Sequence, residues 1–233
     1  MRGARVQEMW RFLISCLSVT FPVGARACEL ALVLAVDVSG SVDRREYDIQ
    51  MQGLAAGLRD GIVREALVDS QAMLTLVQWT GSSRQQQTVP WSLMATDADV
   101  EAFAARVGSD PRVWRNYSTA IGEALQMAEG LLADVAHCRR MVIDVSGDGI
   151  SNEGVEPSSR HPALKNLGVT VNALAIETGD EDLTGWFFEN LIMGSGAFVI
   201  TANGFEDYPE QIRRKLIREI TTPLSQVSIS DHR

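Results

Sequence analysis

The chain has 233 residues, 45% of them hydrophobic and 22% charged, with nineteen glycines and seven prolines, which excludes disordered, collagen-like and low-complexity classes. That length buries one large core or two small ones. The formal net charge of −9 argues against nucleic acid and anionic membranes as partners, because counterion release needs clustered Lys and Arg.

Arg2, Arg5 and Arg11 precede the apolar stretch Phe12 to Val23, and Ala25-Arg26-Ala27 follows it. A basic start, a short apolar middle and an A-x-A ending form the pattern of an export signal cleaved before Cys28. A buried helix and a lipoprotein signal are the alternatives, and Arg26 stands where a lipoprotein signal wants a small residue. The stretch is far short of the roughly 20 residues that span a bilayer, and no other segment is long and apolar enough to do so. Residues 28–233 are therefore expected to be one exported, soluble domain, periplasmic or extracellular. Loss of four arginines and one glutamate with residues 1–27 takes the charge from −9 to −12. Cys16 leaves with the leader, so Cys28 and Cys138 remain, an even pair that reads as a disulfide or as two buried thiols. No C-x-x-C occurs and His137, His161 and His232 are scattered, which argues against zinc.

Leu30 to Val36 is apolar without alternation, as in a strand covered on both faces. Asp43 and Glu46 have the spacing of a capping box, and Tyr47, Met51, Leu54, Ala55 and Leu58 form the buried stripe of the helix that follows. Gln71 to Trp79 is a second strand, and Thr80 to Ser83 turns into a polar third strand, Gln85 to Val89. That strand is expected to stop at Pro90 as an antiparallel edge. Asp97 to Val107 is a helix. Ser118 or Thr119 is expected to open the next, whose inner side carries Ile121, Ala124, Leu125, Ala128, Leu131 and Leu132. Met141 to Val145, Val169 to Ile176 and Ala197 to Thr201 are strands four to six. Leu183 to Ile192 and Tyr208 to Ile220 are helices, the last burying Ile212, Leu216 and Ile220, with Arg213, Arg214, Lys215 and Arg218 on a solvated face. Strands alternating with helices predict an α/β domain, doubly wound around a mostly parallel six-stranded sheet with helices on both faces.

In such a sheet ligands gather at the carboxyl ends of the strands. The first strand runs into Asp37-Val38-Ser39-Gly40-Ser41 and the fourth into Ser146-Gly147-Asp148-Gly149, with Tyr117-Ser118-Thr119 at a helix start between them. One carboxylate and two hydroxyls in five residues are hard oxygen donors, suited to Mg²⁺, Mn²⁺ or Ca²⁺. Taken alone they also read as loop hydrogen bonding and a helix cap. Among other acids, Asp43 reads as a cap, Asp144 as the partner of a nearby basic group, and Glu153 as a loop residue beside the site. Trp79, Trp91 and Trp114 read as core or hairpin packing.

These motifs resemble a von Willebrand factor type A domain, whose metal-ion-dependent adhesion site is written D-x-S-x-S after strand one, a Thr opening a later helix, and an Asp after strand four. Asp37, Ser39 and Ser41 match the first element, Thr119 the second and Asp148 the third. Tyr117 and Ser118 stand where many members have small glycines, which makes Ser118 a competitor for the role of Thr119. The likeness covers roughly Glu29 to Ile220 and is nearest to an uncharacterised bacterial subfamily of exported A-domain proteins. It implies strand order 3-2-1-4-5-6, with strand three antiparallel at the edge. In that order Cys28 and Cys138 both lie just before neighbouring strands, so the resemblance implies a Cys28–Cys138 disulfide. It also implies a function without catalysis, in which a bound Mg²⁺ (or Mn²⁺ or Ca²⁺) bridges to an Asp or Glu of a partner protein. A metal-independent interaction scaffold is the second reading. A metal-dependent phosphoryl-transfer enzyme is the third: haloacid dehalogenase-type enzymes need a second Asp two residues after the first, and here that position is Ser39. No G-x-S-x-G elbow, P-loop or G-x-G-x-x-G is present.

Overall fold

In the computed structural model, residues 28–179 and 182–221 are described, and the export-signal reading of residues 1–27 lies outside them. Six strands form a single sheet: β1 Leu30–Asp37, β2 Met73–Trp79, β3 Gln85–Leu93, β4 Arg140–Gly147, β5 Val169–Ile176 and β6 Val199–Ala202. Their order is β3-β2-β1-β4-β5-β6, with β3 antiparallel to β2 and the other neighbours parallel. This is the doubly wound arrangement expected from the sequence.

The helices are α1 Arg44–Arg59, α2 Gly61–Asp69, α3 Asp97–Gly108, α4 Ile121–Ala133, α5 His161–Asn166, α6 Leu183–Asn190 and α7 Tyr208–Thr221. Because side chains alternate across a strand, β1 feeds two cores. Leu30, Leu32, Leu34 and Val36 pack with Met51, Leu54 and Leu216 on one face, and Ala31, Val33 and Ala35 pack with Leu125 and Phe187 on the other. Every residue of β1 is buried, which explains its unbroken apolar run.

Three boundaries differ from expectation. α2 follows α1 directly because Asp60 closes one helix and caps the next, its carboxylate accepting from Ile62 N at 2.9 Å. β3 continues through Pro90 to Leu93. Leu76 pairs with Val89 and Leu74 with Ser92, so Pro90 and Trp91 share the irregularity opposite Thr75, where a missing N–H is tolerated. Helix α4 starts at Ile121 with Ala120 as an N-cap that makes no side-chain bond. The amides before it are taken instead from another loop: Thr119 N donates to Asn152 Oδ1 at 2.9 Å and Ile121 N to Ser151 Oγ at 3.3 Å. Gly122 permits this approach, since a Cβ there would lie 2.1 Å from the Val155 carbonyl.

The largest departure concerns α7. Lys215, expected on a solvated face, is completely buried. Its Nζ lies 2.5 Å from Asp144 Oδ1 on β4 and 2.6 Å from Glu219 Oε1 one turn on. Asn172 Nδ2 on β5 also donates to Glu219 Oε1, at 2.9 Å. Asp144 thus has the basic partner expected of it, and two carboxylates share one ammonium in the interior.

Burial first, then the Asp144 charge, raises the Glu219 carboxyl to about 7. A buried acid with a raised pKa favours its protonated form, so its contribution to stability is complete below the unfolded value near 4.5 and is lost as pH rises through about 7. The melting temperature should therefore fall between pH 5 and pH 8, and Glu219→Gln should flatten that fall. Parallel curves for parent and variant in differential scanning calorimetry would refute this role for Glu219.

Candidate metal centre at the carboxyl end of the sheet

β1 delivers Asp37 to the sheet's carboxyl edge, opposite Trp79 of β2 and one residue beyond the pairing of Val36 with Ser146 of β4. Its carboxylate is wholly buried. Oδ1 accepts from Ser39 N at 2.7 Å, while Oδ2 is buried with no hydrogen-bond partner among the described residues. A buried, unpartnered carboxylate oxygen is costly unless something supplies positive charge. Gly147 closes over the same atom, and a Cβ there would lie 3.1 Å from Oδ2.

From Asp37 the loop turns so that Ser39 Oγ and Ser41 Oγ stand 3.1 Å apart. Ser41 Oγ donates to Asp148 Oδ1 at 2.7 Å, which ties the loop after β1 to the loop after β4. Asp37, Ser39, Ser41 and Asp148 are thus one continuous polar cluster. Thr119 reaches the neighbouring loop: it is buried, and its Oγ1 lies 3.9 Å from where a Cβ on Gly149 would sit. Ser118, its competitor, is exposed.

Burial, then repulsion from Asp148, pushes the Asp37 carboxyl up to about 8. Burial likewise raises that of Asp148. Two acids and two hydroxyls are held together, with Thr119 beside them, although the arrangement penalises its own negative charge. The donors are all hard oxygens, so the residues fit an Mg²⁺, Mn²⁺ or Ca²⁺ ion, which would supply the missing charge.

Asp43 and Glu153 have partners of their own. Asp43 caps α1, accepting from Glu46 N at 2.8 Å while its own N donates to Glu46 Oε2 at 2.7 Å. Glu153 bonds the Ser82 hydroxyl, and this bond holds its carboxyl below the ordinary range. Trp79 is buried, Trp91 donates from Nε1 to Leu131 O at 3.2 Å, and Trp114 packs on the core.

Two supports were invisible in the sequence. Arg112 Nη2 donates to the carbonyls of Val38 at 2.9 Å and Ser39 at 2.8 Å, pinning the loop from below. Gln50 Nε2 donates to the carbonyl of Asp37 at 3.3 Å. Both residues come from outside the motif and from segments whose pairing with it depends on the fold. At the rim, Arg84 stacks over Tyr117 at 3.8 Å, and the Tyr117 carbonyl accepts from Gly40 N at 2.8 Å.

A family model described as "protein of unknown function (DUF1194)" matches residues 27–224. No curated protein matches the sequence. Among solved structures, proximal thread matrix protein 1 from the mussel byssus, with a zinc-occupied MIDAS motif, superposes with a TM-score of 0.63 at 17% identity, covering 83% of this chain and 46% of that one. A von Willebrand factor type A protein from Catenulispora acidiphila gives 0.58 at 19% identity, covering 83% and 43%. The pilus adhesin SpaC from Lactobacillus rhamnosus GG, in its open conformation, gives 0.61 at 14%, covering 84% and 31%. The chain therefore spans less than half the length of each of these structures. At these identities the likeness establishes a von Willebrand factor type A fold.

Proposed function

The chain belongs to the DUF1194 family of proteins of unknown function, and from its type A fold and the cluster at Asp37 we propose a metal-ion-dependent, non-enzymatic protein-binding domain of the adhesion type. The observation that carries this reading is the buried Asp37 carboxylate, with Oδ2 unpartnered beside the linked Ser39, Ser41 and Asp148. Ser39, Ser41 and Thr119 would hold Mg²⁺, Mn²⁺ or Ca²⁺ directly, with Asp37 and Asp148 balancing its charge. When bound, the ion supplies an electrophilic acceptor for an Asp or Glu carboxylate of a partner protein. The protein's own residues orient the site: Arg112 and Gln50 fix the loop backbone, and Gly147 lets β4 close against Asp37.

Residues 1–27 act in this reading as a cleaved export signal, and residues 28–233 as a single domain in the periplasm or outside the cell. The zinc-occupied MIDAS of the mussel protein and the adhesin SpaC, with the same fold, support a divalent ion and an adhesive role.

Calorimetric titration of Mg²⁺, Mn²⁺ and Ca²⁺ into the exported protein should show one saturable site. Asp37→Ala/Ser39→Ala should weaken it by at least about tenfold, since breaking a metal's supporting shell alone costs 10–100-fold. At an ion concentration of about 100 times Kd the parent should gain about 2.7 kcal/mol of stability. Heat and melting temperature indifferent to all three ions would remove the metal from the mechanism. Metal-dependent hydrolysis of a generic phosphate ester, lost in the variant, would instead make the cluster an enzyme's.

A further inference from the structure

A second polar cleft, about 360 Å³ in volume, opens between α1 and the segment that follows α3. Arg44, Asp48 and Gln52 line it from α1, and Asp110, Arg112 and Arg115 from the other wall. Three arginines therefore line one small space. None of the three is in an ion pair among the described residues.

Arg112 uses its Nη atoms on neutral acceptors: the carbonyls of Val38 at 2.9 Å, Ser39 at 2.8 Å and Asp43 at 3.4 Å. Its Nε is buried with no hydrogen-bond partner. Two acids, Asp48 and Asp110, share the lining. Asp110 Oδ2 accepts from Gln78 Nε2 at 2.7 Å in the adjoining interior. Asp48 is exposed on α1 and has no ion pair among the described residues.

Three arginines around one cleft, none in an ion pair among the described residues, run against the grain of a chain whose net charge is −9. Guanidinium forks match carboxylate and phosphate oxygens in pairs and bind them more strongly than neutral acceptors. We propose that this cleft is an oxyanion site, taking a carboxylate- or phosphate-bearing ligand between Arg44, Arg112 and Arg115. The volume admits a small polyanion rather than a folded surface. The site adjoins the metal loop through Arg112 but does not depend on the metal reading.

The test is calorimetric titration of inorganic phosphate and, separately, citrate into metal-stripped full-length protein in low-salt, chelator-free buffer. The variant is Arg44→Gln/Arg115→Gln, which leaves Arg112 to hold the loop. Arg106→Gln, an exposed change outside the cleft, is the control. Saturable binding by parent and control, at least tenfold weaker in the double variant at an unchanged melting temperature, is the expected result. Tighter phosphate than citrate would assign a phosphorylated ligand, and the reverse order a carboxylate. Equal binding by parent and double variant, or no saturable binding of either anion, would overturn the proposal.

Discussion

Replacing Lys215 by methionine should destabilise the domain by about 3–5 kcal/mol near pH 8, the cost of removing one member of a buried ion pair. For a domain of this size that corresponds to roughly 2–4 °C in melting temperature per kcal/mol, or about 6–20 °C in all. Methionine fills most of the space of the lysine stem, so the loss measures charge rather than volume. Without the ammonium, the buried Asp144 and Glu219 face each other, and Asn172 still donates to Glu219. The penalty should shrink at pH 5, where Glu219, with its pKa raised to about 7, is already neutral in the folded state. Adding Asp144→Leu and Glu219→Met to the lysine change should recover most of the stability, because an apolar triad has no charge to desolvate. A single variant that melts with the parent at both pH values would mean that the ammonium contributes nothing to seating α7.

The lysine also marks where sequence reading failed. Four basic residues near a helix's carboxyl end suit the helix dipole and a solvated face, and for exposed Arg214 that expectation agrees with the structure. Lys215 differs because it sits beside Leu216 and one position from the stripe of Ile212, Leu216 and Ile220, on the flank that meets β4 and β5. Asp144 inside an apolar strand was the available signal that a cation had to reach it. Its partner lies 71 positions away on an element whose placement only the fold determines.

The candidate site was more legible because its residues come in short local motifs on recognisable elements. Asp37, Ser39 and Ser41 follow a buried strand, and Asp148 follows another. Strand order then brings the two loops together through the Ser41–Asp148 bond. What supports the loops was hidden, since Arg112 and Gln50 act on backbone carbonyls and no spacing rule connects a side chain to a carbonyl across the fold. The start of α4 was hidden for a similar reason: its amides are taken by Ser151 and Asn152 from a distant loop, while Ser118, a good cap by residue type, stays outside. The short helix α2 has only nine residues and two fully buried side chains, Val63 and Leu67, too few for a clear periodic signal.

The opposite end of the same two central strands gives the other large effect. Cys28 and Cys138 are joined by a disulfide with a Cα–Cα distance of 4.6 Å and a sequence separation of 110. Closing a loop of that length stabilises the folded state by about 4–5 kcal/mol in the chain-entropy picture, before any native strain is subtracted. Cys28→Ser/Cys138→Ser should therefore lower the melting temperature by about 8–20 °C, at roughly 2–4 °C per kcal/mol, and a reductant should do the same to the parent alone. The sheet does not need the link to set its register. Arg139 N donates to the Cys28 carbonyl and Arg140 N to that of Glu29, both at 3.1 Å, and the β1–β4 ladder continues from Leu30 with Arg140. The variant should then fold in the same register at low temperature and leave the proposed metal site intact, because Asp37 and Asp148 lie at the far end of β1 and β4. A melting temperature unchanged by the double substitution would put the stabilisation in the ladder alone. A loss of metal binding in the folded variant would mean that the two ends of the strands are not independent.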